Sequence, residues 1–183
     1  AITGGTGFVG RHLALRLLQN NHKVNVIARG NLPACLENRE NLNFCKLQYE
    51  DQKALEKAIS GCEAVFHLAG INREVNPGDF KRAHVEATEK LIKAACLNSV
   101  RKLVLVSFLK ARANINSQYH QSKWQAEVLV RNSGLDYTIL KPGMIYGKGD
   151  HMLSHIRKAL KISPLFSPVG IFHKNVSPIS IKD

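Results

Sequence analysis

The feature that most constrains this chain is a cluster of glycines between a short apolar start and an amphipathic helix pattern. They are Gly4, Gly5, Gly7 and Gly10, and they lie in the segment ITGGTGFVG that follows Ala1. Behind them, Leu13 and Leu17 follow Val9 at intervals of four residues, the spacing of one helix face. A glycine turn that leaves a strand and opens a helix binds anions, because a phosphate can approach its backbone and the helix end offers free N–H groups.

The turn satisfies two glycine spacings at once. Gly5, Gly7 and Gly10 fit G-x-G-x-x-G, whereas Gly4, Gly7 and Gly10 fit T-G-x-x-G-x-x-G after Thr3. A lone glycine motif is weak evidence, and the alternative is an ordinary glycine-rich turn between a strand and a helix. The strand before the motif and the amphipathic helix after it favour the phosphate site.

Strand and helix patterns alternate along the chain to about residue 147. Strand patterns cover 23–28, 42–47, 63–70, 102–107 and 136–141, and helix patterns follow Asp51 and cover 80–97 and 119–131. This alternation predicts an α/β fold, a Rossmann-type doubly wound parallel sheet with helices on both faces. We expect Trp124, Val128 and Leu129 to face inward from the helix over 119–131, and His67 to pack within a buried strand.

The pattern changes after Gly149. A short helix is expected over 151–160, followed by a loop-rich stretch with Pro164, Pro168, Gly170 and Pro178. We interpret residues 1–150 as a dinucleotide-binding Rossmann domain and 151–183 as the start of a small, truncated C-terminal substrate lobe. The first strand is also short, which suggests a truncated N-terminus. We expect the protein to be cytoplasmic, with an organelle matrix as the alternative compartment.

The formal net charge of +12 makes an acidic partner worth considering. The basic residues are dispersed and form no run of five or more, so the charge predicts an anionic cofactor or small-molecule substrate better than nucleic acid. No apolar run approaches the length of a membrane span. The cysteines show no pairing or metal-ligand spacing, which predicts reduced thiols and no metal site; they are Cys35, Cys45, Cys62 and Cys96.

The residue after the second strand pattern bears on the choice of dinucleotide. An Asp or Glu at this point would bond the 2′-hydroxyl of the adenosine ribose, but the chain has Arg29 there. A guanidinium can pair with a 2′-phosphate through two hydrogen bonds. The sequence therefore predicts NADP, with NAD as the alternative and a solvated loop charge as the other interpretation of Arg29.

A Y-x-x-x-K pair, Tyr119 and Lys123, begins the helix pattern over 119–131. Residues four apart share a helix face, and a nearby ammonium lowers a phenol's pKa by favouring the phenolate. Such a tyrosine could exchange a proton with a carbinol while a nicotinamide moves a hydride. Taken alone, the pair is also common by chance on exposed helices.

Further short motifs accompany these features in a fixed order. They are TGGTGFVG at 3–10, HLAG at 67–70, HVEAT at 84–88, VS at 106–107, YHQSK at 119–123 and KPGMIYGKGD at 141–150. On these residues the chain resembles the short-chain dehydrogenase/reductase superfamily, in its extended and atypical branches of NAD-dependent epimerase/dehydratase-like proteins. The tail VSPISIKD at 176–183 is similar to the segment that precedes the C-terminal helices of the longer, extended proteins.

The resemblance implies a role for each matching residue. Residues implied to cradle the pyrophosphate are Gly4, Thr6, Gly7, Phe8, Val9 and Gly10; Leu68, Ala69 and Gly70 would line the adenosine side. Arg29 would lie beside the adenosine ribose, and Tyr49 would contact the adenine. Tyr119 would be the acid/base, and Lys123 would lower its pKa and hold the nicotinamide ribose. Pro142, Gly143 and Met144 would flank the nicotinamide.

Three positions depart from the family pattern. Gln48 replaces an Asp that contacts the adenine, His84 replaces an Asn, and Leu109 stands where the catalytic Ser or Thr is expected. Ser107 itself should point elsewhere, since neighbouring residues of a strand alternate in direction. These departures are similar to the atypical group that includes the complex I 39 kDa subunit, where a nucleotide is bound without evident turnover.

Two functions from different classes follow. One is an NAD(P)-dependent reductase, epimerase or dehydratase acting through Tyr119 and Lys123 on a nucleotide-sugar or similar carbonyl or carbinol substrate. The other is a non-catalytic accessory subunit or redox sensor that holds a nucleotide, favoured by His84 and Leu109. The resemblance also implies pairing into a homodimer through the helix that bears Tyr119.

Overall fold

The structure, a computed structural model, describes residues 1–162 and 177–183. It divides into two compact units, Ala1–Lys141 and Pro142–Asp183. The domain boundary expected at residue 150 stays a prediction. Of the loop-rich stretch predicted after Gly149, Pro164, Pro168 and Gly170 lie outside the described residues.

The first unit is built on a six-stranded sheet in the order β3-β2-β1-β4-β5-β6, with every described pairing parallel. Its strands are β1 Ile2–Thr3, β2 Val24–Ala28, β3 Leu42–Lys46, β4 Ala64–His67, β5 Lys102–Val106 and β6 Tyr137–Leu140. The helices are α1 Phe8–Gln19, α2 Gln52–Ile59, α3 Ala87–Leu97 and α4 Gln118–Arg131. The predicted doubly wound parallel sheet is confirmed.

Two hydrophobic cores lie on opposite faces of the sheet, since adjacent strand residues point to opposite sides. On one face, Val24 and Val26 pack with Ala14 of α1. On the other face, Val65 of β4 packs with Leu55 of α2 and Leu91 of α3. This three-layer arrangement leaves the carboxyl ends of the strands free to form a cleft.

Strand order reverses at β1, which places the cleft. Ile2 pairs with Val26 of β2 on one side and with Phe66 of β4 on the other. Connections therefore leave β1 in opposite directions, and a crevice opens beyond the carboxyl ends of β1 and β4. Both the glycine turn after β1 and the small residues after β4 lie at this crevice.

A π-helical segment, Lys81–Glu86, leads directly into α3. The sequence pattern predicts one helix from Phe80 to Leu97, so the extent agrees but the winding differs. His84 lies in this wider turn and is buried, with 2% of its surface exposed. Its ring has hydrogen-bond partners in that position. A π-helical turn inside a helix often marks a functional site.

The inward face predicted for α4 is wrong in part. Val128 is 36% exposed, whereas the buried residues of this helix include Ser122, Lys123 and Glu127. Each of these polar side chains has a hydrogen-bond partner within the fold, which makes its burial tolerable. Apolar periodicity alone therefore predicts the wrong buried face for this helix.

The second unit contains β7 Ile145–Tyr146, α5 His151–Ile162 and β8 Ile179–Ser180. β7 and β8 pair in parallel. Asp150 begins α5, since its carboxylate accepts a hydrogen bond from the Leu153 N–H at 3.0 Å. A short helix after Gly149 is thus confirmed.

Candidate functional site: a dinucleotide cleft

The glycine turn has no room for side chains at its two critical positions. Gly4 has φ +69°, and a Cβ added there would lie 2.7 Å from the backbone nitrogen of Ala69. A Cβ on Gly10 would lie 2.3 Å from the carbonyl oxygen of Gly4. The turn therefore packs against the end of β4 on one side and against α1 on the other.

The first turn of α1 offers backbone donors to an anion. Gly7 is the N-cap and supplies no side chain to cap the helix, and the first turn contains no acidic residue. The Gly7 N–H donates to Gly4 O at 3.0 Å, so the donors left by helix geometry are those of Phe8, Val9 and Gly10. This backbone fits a pyrophosphate.

A cavity of about 220 Å³ adjoins the turn. Its lining brings together most of the predicted cofactor residues: Gly4, Thr6, Gly7, Ala28, Arg29, Gly30, Tyr49, Leu68, Ala69 and Gly70. A second cavity of about 260 Å³ shares Arg29, Tyr49, Ala69 and Gly70 with the first. The two cavities adjoin along these shared residues, and together they form the cleft.

The second cavity has a charged lining. It contains Arg29, Arg73 and Arg82, with two carboxylates, Glu50 and Asp79. Asp79 forms an ion pair with Arg82 and accepts the Val75 and Asn76 N–H groups at 3.1 and 2.8 Å. These hydrogen bonds from the backbone lower the pKa of Asp79. Sequence reasoning missed Arg73 and Arg82, since neither lies in a motif.

Tyr49 joins the third strand's end to the glycine turn. Its hydroxyl accepts the Gly4 N–H at 2.9 Å and donates to Ile27 O at 3.4 Å. Burial raises the pKa of Tyr49, so its hydroxyl keeps the proton that it donates. The predicted contact of Tyr49 with adenine stays a prediction, but the ring lines both cavities.

Lys123 approaches the small residues at the end of β4 from α4. Its side chain is 9% exposed, and its ammonium donates to Val106 O at 3.3 Å. A Cβ added to Gly70 would lie 3.3 Å from Nζ, so Gly70 is what admits the ammonium. Burial lowers the pKa of Lys123 to about 8, with Glu127 opposing the shift.

Tyr119 lies among aromatic rings on the same helix. The centroids of Phe80, His84, Phe108 and His120 lie 5.4 to 5.7 Å from its own, all at steep angles. Burial raises the pKa of Tyr119, and the lowering of this pKa by Lys123 stays a prediction. The roles assigned to Tyr119 and Lys123 stay predictions.

Ser107 is buried and bonds to a carboxylate of α4. Its hydroxyl donates to Oε1 of the buried Glu127 at 2.5 Å. Glu127 also pairs with Arg131 at 2.8 Å and Lys141 at 3.1 Å, and these partners lower its pKa despite burial. Leu109, at the place of the expected catalytic hydroxyl, is 59% exposed. Sequence reasoning missed the Glu127 cluster because its members are 4, 14 and 20 residues from Glu127.

His67 is buried as predicted, and both ring nitrogens have partners. Nδ1 lies 2.6 Å from the Thr3 hydroxyl and Nε2 lies 3.0 Å from the Thr88 hydroxyl. The Thr88 hydroxyl donates to the carbonyl oxygen of His84. Burial, with Lys123 and His84 nearby, lowers the pKa of His67 to about 3. The network joins β1, β4 and the π-helical segment.

Pro142, Gly143 and Met144, predicted to flank the nicotinamide, begin the second unit. The Met144 carbonyl accepts the Ile179 N–H at 2.9 Å, which holds β8 beside β7. Their assignment to the cofactor stays a prediction. Residues 1–162 and 177–183 contain no group of three or more His, Cys, Asp or Glu side chains placed to hold a metal ion. Within the same residues, none of the helices has the length and apolar content that crossing a bilayer needs.

The family model described as NAD(P)H-binding matches residues 4–162, from the glycine turn to the end of α5. The chain belongs to this NAD(P)H-binding family. The resemblance to extended and atypical short-chain dehydrogenase/reductases is confirmed by the relatives of this NAD(P)H-binding chain.

Two curated relatives illustrate the range of the family. A ceramide reductase of Caulobacter vibrioides is 30% identical over 183 residues, which are 100% of this chain and 57% of the relative. The mitochondrial NADH dehydrogenase (ubiquinone) 1 alpha subcomplex subunit 9 of Mus musculus is 26% identical over 159 residues, 84% of this chain and 42% of the relative. The NAD(P)H-binding chain thus spans about half the length of these relatives.

A solved structure supports the fold of the NAD(P)H-binding chain. The dTDP-glucose 4,6-dehydratase DesIV of Streptomyces venezuelae, a double mutant with NAD and DAU bound, has a TM-score of 0.78 and 22% identity. The match covers 100% of this chain and 68% of the dehydratase. At this identity the likeness is evidence for the fold alone.

Proposed function

We propose that this chain holds NADP along the cleft and that Tyr119 and Lys123 serve proton transfer in an oxidoreductase, epimerase or dehydratase reaction. The observation that carries the proposal is the continuous cleft, which runs from the glycine turn past Arg29 and Tyr49. Gly70, in its wall, adjoins the ammonium of Lys123. Gly70 therefore lies both in the lining of the cavity beside the glycine turn and next to the ammonium of Lys123.

NADP is preferred over NAD because of the charges around the adenosine end. Arg29 lines both cavities, and Arg73 and Arg82 line the second. Asp79, one of two carboxylates in this lining, is paired with Arg82. A 2′-phosphate would meet net positive charge here, whereas a carboxylate in place of Arg29 would repel it.

Bound nicotinamide would supply or take the hydride. In the reducing direction the reduced nicotinamide would lose a hydride to the substrate carbonyl carbon and become oxidised, while the carbonyl π bond would break and Tyr119 would give its phenolic proton to the oxygen. Burial, which raises the pKa of Tyr119, keeps that proton in place beforehand. Lys123, as an ammonium, would then stabilise the phenolate.

The substrate we propose is a nucleotide sugar or a similar carbonyl or carbinol compound. The dehydratase that shares the fold is named for a nucleotide sugar, and the ceramide reductase for a lipid. Both classes therefore belong in a substrate test. The net charge of +12 favours the anionic class.

The first experiment is calorimetric titration of the protein with NADPH and, separately, NADH. We expect NADPH to bind more tightly than NADH. Arg29→Ala should lower the affinity for NADPH by roughly tenfold or more, with little change in the affinity for NADH. NADH binding as tightly as NADPH would contradict the choice of cofactor. Binding of neither would contradict the function.

A second candidate is a nucleotide-holding accessory subunit or redox sensor. It is favoured by Leu109, which stands where a substrate-orienting hydroxyl is expected, and by the engagement of Ser107 with Glu127. The mitochondrial relative is named as a subunit of a larger complex. NADPH oxidation with nucleotide sugars and carbonyl lipids, lost in Tyr119→Phe, would favour the enzyme; tight binding without any oxidation would favour the subunit.

A further inference from the structure

His84 connects α4, which carries Tyr119 and Lys123, to the loop after β4, whose Gly70 and Ile71 line the second cavity. Its Nδ1 lies 2.8 Å from the hydroxyl of Ser122 on α4. Its Nε2 lies 3.2 Å from the backbone nitrogen of Ile71, in the loop after β4. The side chain thus bridges the helix of Tyr119 and Lys123 to the strand end beside which Lys123 lies.

The hydrogen bonds favour one tautomer of the ring. The Ser122 hydroxyl donates to the carbonyl oxygen of Tyr119 at 2.9 Å, so it can accept from His84 Nδ1–H. Nε2 is then unprotonated and accepts the Ile71 N–H. The opposite tautomer would donate to Ile71 O, at 3.1 Å, but would leave the Ile71 N–H without this acceptor.

Packing leaves the ring little freedom. The imidazole stacks on Phe80 at 5.7 Å and 18° and meets the edge of Tyr119 at 5.6 Å. A Cβ on Gly70 would lie 3.2 Å from Nε2, so the strand end closes tightly on the ring. Burial and the charge of Lys123 lower the pKa of His84 to about 3, which keeps the ring neutral.

The backbone of His84 is held as firmly as its ring. Its carbonyl accepts the Thr88 hydroxyl, which in turn accepts His67 Nε2–H at 3.0 Å. The other nitrogen of His67 accepts the Thr3 hydroxyl at 2.6 Å. His84 is therefore fixed to the strand that leads into the glycine turn.

We propose that His84 is a positioning residue, which sets the separation between the Gly70–Ile71 loop and the Tyr119–Lys123 turn of α4. The proposal deepens the proposed function, since this separation would be the width available to the reactive end of the dinucleotide. His84 touches neither substrate nor cofactor in this role. It acts through Ser122 and Ile71.

The test begins with the wild-type protein and ¹⁵N NMR of its histidine rings. We expect His84 to be neutral at pH 7 with the proton on Nδ1, and Ser122→Ala to shift its proton toward Nε2. A wild-type ring whose chemical shifts do not respond to Ser122→Ala would overturn the bridge between Ser122 and Ile71 and with it the proposal. This measurement requires no cofactor.

The second readout is the pKa of Lys123, followed by NMR of its side-chain carbon in wild type, His84→Ala and Ser122→Ala. Either variant breaks the bridge that His84 makes between Ile71 and Ser122, which we call the clamp. Its release should admit water, so we expect the Lys123 pKa to rise by about one unit or more. The matched control is His67→Gln, in the same buried network but not bonded to Ser122 or Ile71. An equal shift in the control, or none in either clamp variant, would contradict a positioning role.

Titration with NADPH separates this inference from the proposed function. We expect His84→Ala to weaken NADPH by roughly tenfold, with His84→Gln restoring part of the affinity by keeping one of the two bonds. If wild type binds neither NADPH nor NADH while Lys123 still shifts, the proposed function fails and the clamp stands. If wild type binds NADPH and His84→Ala binds it equally well, the clamp fails and the function stands.

Discussion

Two regions of the first unit are built by different means: the glycine turn, called the backbone end, and the buried polar network of His67, His84, Ser122, Ser107 and Glu127, called the side-chain end. At the glycine turn the surfaces are backbone: Gly4 abuts Ala69, and Gly10 abuts the Gly4 carbonyl. At the other end the surfaces are set by buried polar side chains, with His84 bonded to Ser122. A backbone site tolerates no added atoms, whereas a side-chain site depends on every partner being present. The two ends should therefore fail in different ways.

Gly10→Ala should have the largest effect. Its Cβ would lie 2.3 Å from Gly4 O and 2.6 Å from the Gly5 Cα, and backbone cannot give way cheaply. We expect the free energy of unfolding to fall by more than about 3 kcal/mol, measured by urea denaturation. Gly30→Ala is the control, since nothing lies within 4 Å of its Cβ. Equal losses of unfolding free energy in both variants would mean that crowding of the backbone is not what makes Gly10 necessary.

Lys141→Met tests the side-chain end. It leaves the fully buried Glu127 with only Arg131 and Ser107, and frees Ala111 O, which Lys141 bonds at 2.8 Å. We expect a loss of about 3 kcal/mol in the free energy of unfolding. Lys102→Met breaks the exposed pair with Asp136 and should cost at most about 1 kcal/mol. Similar costs for the two would show that burial does not distinguish them.

Ser107→Ala sharpens the boundary of the site. It removes a hydrogen bond to a buried carboxylate, which should cost about 2 kcal/mol of unfolding free energy. Because its hydroxyl faces Glu127, NADPH affinity should stay at the wild-type value in calorimetry. A loss of affinity without loss of stability would place Ser107 in the binding machinery.

Acid should weaken the side-chain end through its buried histidines. The pKa of His67 is lowered to about 3 in the folded state, from an ordinary 6.5. Between these values the unfolded chain binds a proton that the folded protein does not, so stability falls as pH falls. We expect a slope of up to about 1.4 kcal/mol per pH unit for each such histidine.

Urea denaturation at several pH values between about pH 7 and pH 5 measures this slope. His67→Gln should reduce it by the share of one histidine, even if the variant is less stable at every pH. An unchanged slope in this variant would mean that His67 titrates equally in the folded and unfolded states.

The backbone end was predictable because its requirements act on residue identity. Only glycine suits φ +69° and a 2.7 Å approach at once, so Gly4 is visible in the sequence. The alternation of strand and helix patterns likewise predicted the sheet, since parallel strands require crossover helices. Local chemistry and local periodicity are sufficient for both.

The side-chain end was not predictable, because its partners are distant in sequence. His84 was noticed as a departure, but its partners Ile71 and Ser122 lie 13 and 38 residues away. The predicted buried face of α4 was wrong in part for the same reason. Glu127 is buried because Ser107, Arg131 and Lys141 bind its carboxylate, and helix periodicity does not reveal these partners. Polar burial depends on tertiary partners.

The position of β1 at the middle of the sheet has a consequence for how the chain acquires its structure. Thr3 pairs with Ile27 and with His67, so β1 cannot be enclosed until β4, which follows it in the chain, has emerged from the ribosome. Such distant pairings slow folding and leave apolar strands exposed meanwhile. The phosphate turn should therefore be among the last parts to gain protection from hydrogen exchange during refolding, although it is synthesised before β4.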